Sequence, residues 1–162
     1  MTPWHRWLAY ERHCIRPVVE AFQSVPEARR QAPSYQRAVT LLGHLAVALE
    51  CWLARVEGEE QTAVTLFPTD LSVEEAALRI DRALDRWERL LSRLNAEELE
   101  RTVSYRTTFG VAHRSTLADI LTHLLAHGAY HRGQIMLLVR QLEGVPTKTD
   151  FIVWARSPQN PA

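Results

Sequence analysis

The stretch from residue 117 to residue 142, LADILTHLLAHGAYHRGQIMLLVRQL, has the periodicity of one long amphipathic helix. Its apolar residues recur at three- and four-residue spacings, which gather side chains on one face of an α-helix. Histidines at positions 123, 127 and 131 lie within that pattern. Polar rings on a core-facing stripe destabilise a fold unless a hydrogen bond or another ligand satisfies them. The stretch therefore predicts a long helix and a candidate functional site on it.

Two blocks with the same periodicity precede the middle of the chain. The first extends from about Pro3 to Phe22, and Pro17 inside it predicts a kink or a later effective start of the helix. The second begins after QAPS, with Ser34 as the predicted N-cap, and ends at Gly58. Both blocks predict helices of roughly twenty residues that bury one face.

The third and fourth predicted helices have clear boundary signals. The third begins at SVEE, where Ser72 and Glu75 have the spacing of a capping box. The fourth is the opening stretch; it begins near STLAD, and Gly144 and Pro146 are predicted to end it. A long connection, EEQTAVTLFPTDL, separates the second helix from the third.

A short hairpin is predicted between the third and fourth helices. The segment RTVSYRTTFGVAHRS alternates apolar and polar residues and turns at Gly110. The apolar cluster in the tail TKTDFIVWARS is predicted to pack back on the helices. The fold class that follows is all-α: an antiparallel four-helix bundle with one short β-hairpin, formed by residues 1–162 as a single domain.

Composition narrows the class of function. The chain has 162 residues, of which 46% are hydrophobic and 23% charged, as in a globular protein. Lys plus Arg equals Asp plus Glu at 19 each, so the formal net charge is zero. A nucleic-acid-binding protein normally has a basic face, so the balance argues against DNA or RNA as a partner.

Several features predict a soluble cytoplasmic protein. Charged residues recur through MTPWHRWLAYERH, which argues against a signal peptide. No uninterrupted apolar run approaches the roughly 20 residues of a membrane span, so no membrane partner is expected. Cys14 and Cys51 lie far apart on apolar stretches, which predicts buried free thiols in a reducing compartment.

The histidines of the fourth helix have the spacing of metal ligands. Side chains four positions apart on a helix differ in direction by only about 40°. His131 therefore lies near the centre of the apolar stripe, His127 lies inside its edge, and His123 lies at its margin. Two imidazoles on consecutive turns can chelate one cation, and His44, on the core-facing stripe of the second helix, is the best candidate for a third ligand. Gly128 stands where the zinc proteases carry glutamate, so that activity is unsupported.

Residue patterns alone leave a second interpretation open. Histidines on an apolar face are often core residues held by hydrogen bonds, without any metal. In either case His123 is predicted to line the mouth of the site or to support a ligand from outside. Gln134 lies on the same side of the helix and could orient a ligand or a substrate, and Tyr130, beside His123, could line the entrance.

The C-terminal half resembles the DinB/YfiT-like family of small metal-binding four-helix proteins. The family's H-x-x-x-H-R-G-Q signature is matched by His127, His131, Arg132, Gly133 and Gln134. Its G-x-P-x-x-x-D segment is matched by Gly144, Pro146 and Asp150. Its H-x-x-x-x-E-x-x-W-L segment is similar to HLAVALECWL, with His44, Trp52 and Leu53 in place and the glutamate, Glu50, one position later.

This resemblance implies a divalent metal, zinc or nickel, held by His44, His127 and His131. It also implies a homodimer and, as in some relatives, a metal-dependent S-transferase or isomerase. Such an enzyme would act on a small-molecule substrate with the help of a low-molecular-weight thiol such as bacillithiol, mycothiol or glutathione. The alternative is a non-enzymatic, metal-stabilised bundle that acts in a stress response or as a partner-binding scaffold.

Overall fold

The computed structural model describes residues 3–59 and 64–157. Those residues form six α-helices and one two-stranded antiparallel sheet, so the protein is mostly helical, as predicted. The elements in chain order are α1 (Pro3–Gln23), α2 (Pro33–Glu57), α3 (Val73–Leu91), α4 (Ala96–Leu99), β1 (Thr102–Arg106), β2 (Ala112–Thr116), α5 (Leu117–Gln141) and α6 (Phe151–Ala155). A single 3₁₀ turn, Glu27–Arg29, follows α1. Residues 60–63 of the predicted long connection lie outside the described ranges.

The starts of the first two helices differ from their predictions. Pro17 lies inside α1, which already begins at Pro3, so the predicted later start is wrong. The N-cap of α2 is Ala32 rather than Ser34. Pro33 occupies the first helical position, where the missing N–H of proline costs no hydrogen bond. The predicted end of α2 is confirmed, since Gly58 has a left-handed φ of 74°.

The boundaries of α3 and α5 follow hydrogen bonds at their ends. The capping box of α3 is confirmed, because Ser72 Oγ accepts from the Glu75 amide at 3.1 Å and the Glu75 carboxylate accepts from the Ser72 amide at 2.7 Å. Thr116 caps α5 through the Asp119 amide. These side chains satisfy amides that a helix start leaves without a partner.

The end of α5 was predicted in the right place but for a different reason. Glu143, not Gly144, takes the left-handed conformation, with a φ of 64°. Gly144 is required for space, because a Cβ there would lie 2.8 Å from methyl groups of Val25 and Val139. The glycine thus lets the chain after α5 pass close to the end of α1.

Four long helices surround one apolar core. α2 contacts α3 and α5, and α1 contacts the same two helices. The Trp87 side chain is fully buried, and its indole N–H donates to the Leu49 carbonyl oxygen at 3.1 Å. The largest buried side chains come from all four helices and include Phe22, Leu53, Leu84, Trp87, Ile120 and Ile135. This packing holds the inner faces of α2 and α5 against each other.

The predicted hairpin and the packed tail are both present. β1 pairs with β2 in antiparallel register, with Tyr105 opposite His113, and Gly110 has a φ of 80° in the turn. In the tail, α6 buries Trp154, whose ring lies 5.7 Å from that of Tyr10. The sequence patterns did not indicate the short helices α4 and α6, each of which has five residues or fewer.

Among the described helices, α2 alone is long and apolar enough to cross a membrane by length and composition. However, 72% of its most apolar window is buried inside the protein. The central helix of a packed core passes the same test, because such a helix is apolar on most of its surface. The expectation that no membrane is involved stays a prediction.

Candidate metal centre

α2 and α5 bring three of the predicted histidines together. The ligand nitrogens of His44, His127 and His131 all lie within 4.8 Å of one another. His44 and His131 expose only 8% and 9% of their surface, and His127 is half-buried. Contact between the two helices produces this cluster, because His44 alone comes from α2. Within the described residues, the cluster contains only imidazole groups.

Hydrogen bonds set the orientation of two of the three rings. His44 Nδ1 lies 2.8 Å from the Leu66 carbonyl oxygen, which can only accept, so Nδ1 is the donor. His131 Nδ1 lies 2.8 Å from Gln134 Oε1 and donates in the same way. The lone pair of each ring is therefore on Nε2. His44 Nε2 lies 3.1 Å from His127 Nε2.

This arrangement fits a divalent transition metal. Zinc–nitrogen bonds of about 2.0–2.1 Å in tetrahedral geometry place neighbouring nitrogens roughly 3.3 Å apart. The 3.1 Å between the two Nε2 atoms of His44 and His127 is close to that value. Metal-binding histidines typically donate their other N–H to an oxygen, as His44 and His131 do here. Three neutral imidazoles leave the full charge of the cation in place and further positions for exogenous ligands.

The site favours neutral imidazoles, which is the form that binds metal. Burial and then the neighbouring rings of His131, His44 and His123 lower the pKa of His127 to about 3. Burial also lowers the pKa of His131, although the hydrogen bond to Gln134 opposes that effect. Because protons compete with metals for the same nitrogens, a low pKa keeps them available near neutral pH.

The two auxiliary residues on α5 contact the same histidine. Gln134 accepts the hydrogen bond from His131 Nδ1 given above. It therefore orients a candidate ligand, which is one of the two roles predicted for it. Gln134 Nε2 also donates to the Tyr130 hydroxyl at 3.1 Å. Tyr130, 63% exposed, packs its ring 5.0 Å from that of His131, so its expected place beside His123 is wrong. Seven residues along a helix separate two side chains by about 10 Å, a distance that a helical-wheel angle does not show.

His123 lies at the mouth of the cluster, as predicted. Its exposed ring is 5.3 Å from that of His127 and 5.5 Å from that of Trp52. Trp52 also contacts Tyr105 of the hairpin, and the Arg55 guanidinium lies over both of these rings at 4.6 and 5.2 Å. The hairpin therefore completes a rim of aromatic and cationic side chains beside the histidines.

Two other motif residues face away from the cluster. Glu50 pairs with Arg79 of α3 through two hydrogen bonds, so it supports the contact between α2 and α3. Arg132 is buried against α1, where it pairs with Glu11 and donates to the Tyr10 hydroxyl at 3.1 Å. Arg132 therefore joins α5 to α1 and does not contribute a ligand atom to the histidine cluster.

Sequence reasoning missed the contribution of the connection before α3. Phe67 stacks on His44 with ring centroids 4.1 Å apart and an interplanar angle of 11°. The preceding residue, Leu66, provides the carbonyl oxygen that orients the same ring. The only available signal was the apolar TLFP within a polar connection, which indicates that this segment packs against something.

Comparison with known proteins identifies the family. The DinB family model matches residues 5–160. Protein DinB of Bacillus subtilis (strain 168) is 23% identical to this chain over 116 residues, which covers 68% of this chain and 67% of that protein. The family match spans nearly the whole chain and includes all three clustered histidines. The chain therefore belongs to the DinB family.

Proposed function

We propose that this protein is a metal-dependent enzyme that uses a low-molecular-weight thiol, of the S-transferase or isomerase type. In this proposal the four long helices form an antiparallel bundle, and His44, His127 and His131 hold zinc or nickel in its interior. The observation that carries the proposal is the orientation of the rings. Two of them donate Nδ1–H to oxygens, which leaves Nε2 lone pairs inside an all-imidazole cluster.

The chemistry follows from the charge at such a centre. A divalent cation held by neutral ligands lowers the pKa of a thiol that reaches it, so that thiolate is present at neutral pH. The protein's own thiols are poor alternatives. Cys14 is only 2% exposed, and burial raises the pKa of its thiol. Cys51 is 5% exposed. An exogenous thiol is therefore the nucleophile that we propose.

The rim beside the cluster supports a small organic substrate. Trp52 and Tyr105 provide apolar ring surface, and Arg55 provides positive charge close to the exposed His123. Such side chains can bind an apolar or aromatic electrophile together with an anionic group. We assign them to substrate binding, with His127 at the inner end of the rim.

The test is a conjugation assay with metal-loaded protein. Bacillithiol, mycothiol, glutathione and coenzyme A are each combined with a halo-aromatic electrophile, and product formation is followed. We expect metal-dependent conjugation with one of these thiols, and we expect its loss in His44→Ala. Arg16→Gln changes an exposed side chain of α1 and is the matched control that should keep the activity. Rates equal to the uncatalysed background with all four thiols would contradict the S-transferase activity.

The absence of conjugation would favour the alternative, which is a non-enzymatic metal-stabilised scaffold. Such a scaffold would act in a stress response or on a protein partner. Stoichiometric metal without turnover would be its signature.

We further propose a cytoplasmic homodimer without nucleic acid or membrane as a partner. Light scattering of the metal-loaded protein tests the dimer, with a mass of one chain as the contradicting result.

A further inference from the structure

The buried pair of Glu11 and Arg132 leaves two polar atoms without partners. The Arg132 side chain is 4% exposed and that of Glu11 is 12% exposed. Arg132 Nη1 donates to Glu11 Oε2, and Nη2 donates to the Tyr10 hydroxyl. Glu11 Oε1 and Arg132 Nε, both inaccessible to solvent, have no hydrogen-bond partner of normal geometry among the described residues, and the Trp7 indole N–H, which lies near the Glu11 carboxylate and opposes the rise in its pKa, is likewise unpartnered. A buried polar group without a hydrogen bond destabilises the folded protein, so we expect each of these atoms to have a hydrogen-bond partner.

A cavity of about 30 Å³ adjoins these side chains. Glu11, Arg132 and His127 are its polar lining beside the Cys14 thiol, and apolar side chains of all four long helices close the remaining sides. One water fits a cavity of this volume when two to four polar partners surround it. Gly128 keeps this region open, because a Cβ there would lie 3.0 Å from Arg132 Nη1 and from Glu11 Oε2.

His127 differs from the other two histidines of the cluster. The Nδ1 atoms of His44 and His131 each donate to an oxygen. The hydrogen bond found for His127 joins its Nε2 to His44, and no described residue accepts from its Nδ1. The ring of His127 nevertheless lines the cavity that Glu11 and Arg132 share.

We propose that one water in this cavity links His127 to Glu11 and makes Glu11 a positioning residue for the metal centre. The water accepts from His127 Nδ1–H and from Arg132 Nε–H, and it donates to Glu11 Oε1. One molecule thereby satisfies both unpartnered atoms of the buried pair and gives the third imidazole the oxygen acceptor that the other two already have. The assignment rests on the proposed metal site, because without metal the His127 proton lies on Nε2, where it donates to His44 Nε2, and the water would then donate to Nδ1 instead.

Through this bridge Arg132, the arginine of H-R-G-Q, helps to orient a histidine that it does not contact directly. Gln134 orients His131 directly. Arg132 and Glu11 orient His127 through the water, which fixes the proton on Nδ1 and the lone pair on Nε2. Both polar side chains of the motif thus act on its two histidines.

The experiment compares Glu11→Gln with wild type by zinc affinity and by NMR of ¹⁵N-labelled histidine. In zinc-loaded wild type we expect a protected Nδ1–H signal from His127 that exchanges magnetisation with a bound water. In Glu11→Gln we expect this signal to shift or to disappear, with those of His44 and His131 unchanged, and zinc affinity to fall about 10–100-fold. Tyr10→Phe is the matched control, because it removes another partner of Arg132 outside the cavity lining, and its zinc affinity should stay within about twofold of wild type.

Unchanged His127 signals and zinc affinity in folded Glu11→Gln would overturn the proposal. If that variant does not fold, a high-resolution crystal structure of the wild-type protein decides. A water within hydrogen-bonding distance of His127 Nδ1 and Glu11 Oε1 supports the bridge, and a dry cavity contradicts it. A wild-type protein that binds no zinc but keeps the water between His127 and Glu11 in the crystal would disprove the metal centre alone.

Discussion

Two polar clusters interrupt the apolar interior, one between α5 and α2 and the other between α5 and α1. The cluster of Glu11, Arg132 and Tyr10 contains one acid and one base in contact, so its charges are matched. The cluster of His44, His127 and His131 contains three like groups whose ligand nitrogens lie within 4.8 Å of one another. A matched pair balances its own charge, whereas imidazole nitrogens that face one another require a cation or protons.

This difference assigns separate roles to the two clusters. Loss of one partner from the matched pair leaves a buried charge, so that pair should govern stability. Loss of one imidazole leaves no buried charge, so the histidine cluster should govern metal binding with little effect on folding. Variants of the matched pair should therefore change stability and, through the proposed water, metal affinity as well, whereas variants of the histidines should change mainly metal affinity.

The largest expected effect is on metal affinity. His131→Ala should abolish zinc binding, because it removes a nearly buried imidazole whose Nδ1 hydrogen bond directs the lone pair into the cluster. His123→Ala should change zinc affinity only a few-fold, since His123 is exposed at the mouth. Isothermal titration of both folded variants measures this difference. Equal loss of zinc in the two would show that the ligand set is wrong.

Stability should respond most to the matched pair. Arg132→Met should reduce the free energy of unfolding by about 3–5 kcal/mol, because Glu11 then lies buried without its cation. The double variant Glu11→Met, Arg132→Met should recover much of that loss, since no unpaired charge remains. His44→Ala, measured in urea without metal, should cost about 1 kcal/mol. A double variant less stable than Arg132→Met would contradict the matched-pair assignment.

The residue that orients His131 should have an intermediate effect. Gln134→Leu removes the acceptor for His131 Nδ1 while it preserves side-chain size. We expect zinc affinity to fall about 10–100-fold, which is typical when an outer partner of a metal-binding histidine is lost. Gln141→Leu, at an exposed position of the same helix, is the control and should bind zinc as wild type does. Equal affinities for all three proteins would exclude the orienting role.

The smallest expected effect is the pH dependence of stability without metal. The folded-state pKa of His127 is lowered to about 3, below its ordinary value of about 6.5. The unfolded state therefore binds more protons, and His127 contributes stability above pH 6.5 that is lost as the pH falls toward 3. The slope for one group is at most about 1.4 kcal/mol per pH unit. Urea unfolding with a chelator between pH 7 and pH 5 should give a shallower slope for His127→Gln; parallel slopes would be inconsistent with the depressed pKa.

Local signals in the sequence predicted most of the fold. Ser72 with Glu75, Gly58 and Gly110 each act through hydrogen bonds or φ angles within a few residues, so their roles could be predicted from sequence. The residue that caps the start of α2 and the reason for the glycine after α5 differ from their predictions. Pro33 competes with Ser34 for the helix start, and the need for glycine at position 144 arises from Val25, far away in sequence.

Periodicity predicted the candidate site only in part. The three histidines could be found because they share apolar stripes on two helices. Leu66 and Phe67 could not, since they reach His44 from a connection without periodicity. The cavity beside His127 was equally inaccessible, because it forms from side chains of four helices that only tertiary packing brings together.

Metal content of the purified protein tests the central claim most directly. Protein purified without an affinity tag or chelator is analysed for transition metals and then titrated with zinc and nickel. The clustered ligand nitrogens of His44, His127 and His131 predict close to one divalent ion per chain, with its loss in His131→Ala. Metal far below stoichiometry, together with no uptake of either ion on titration, would contradict the account.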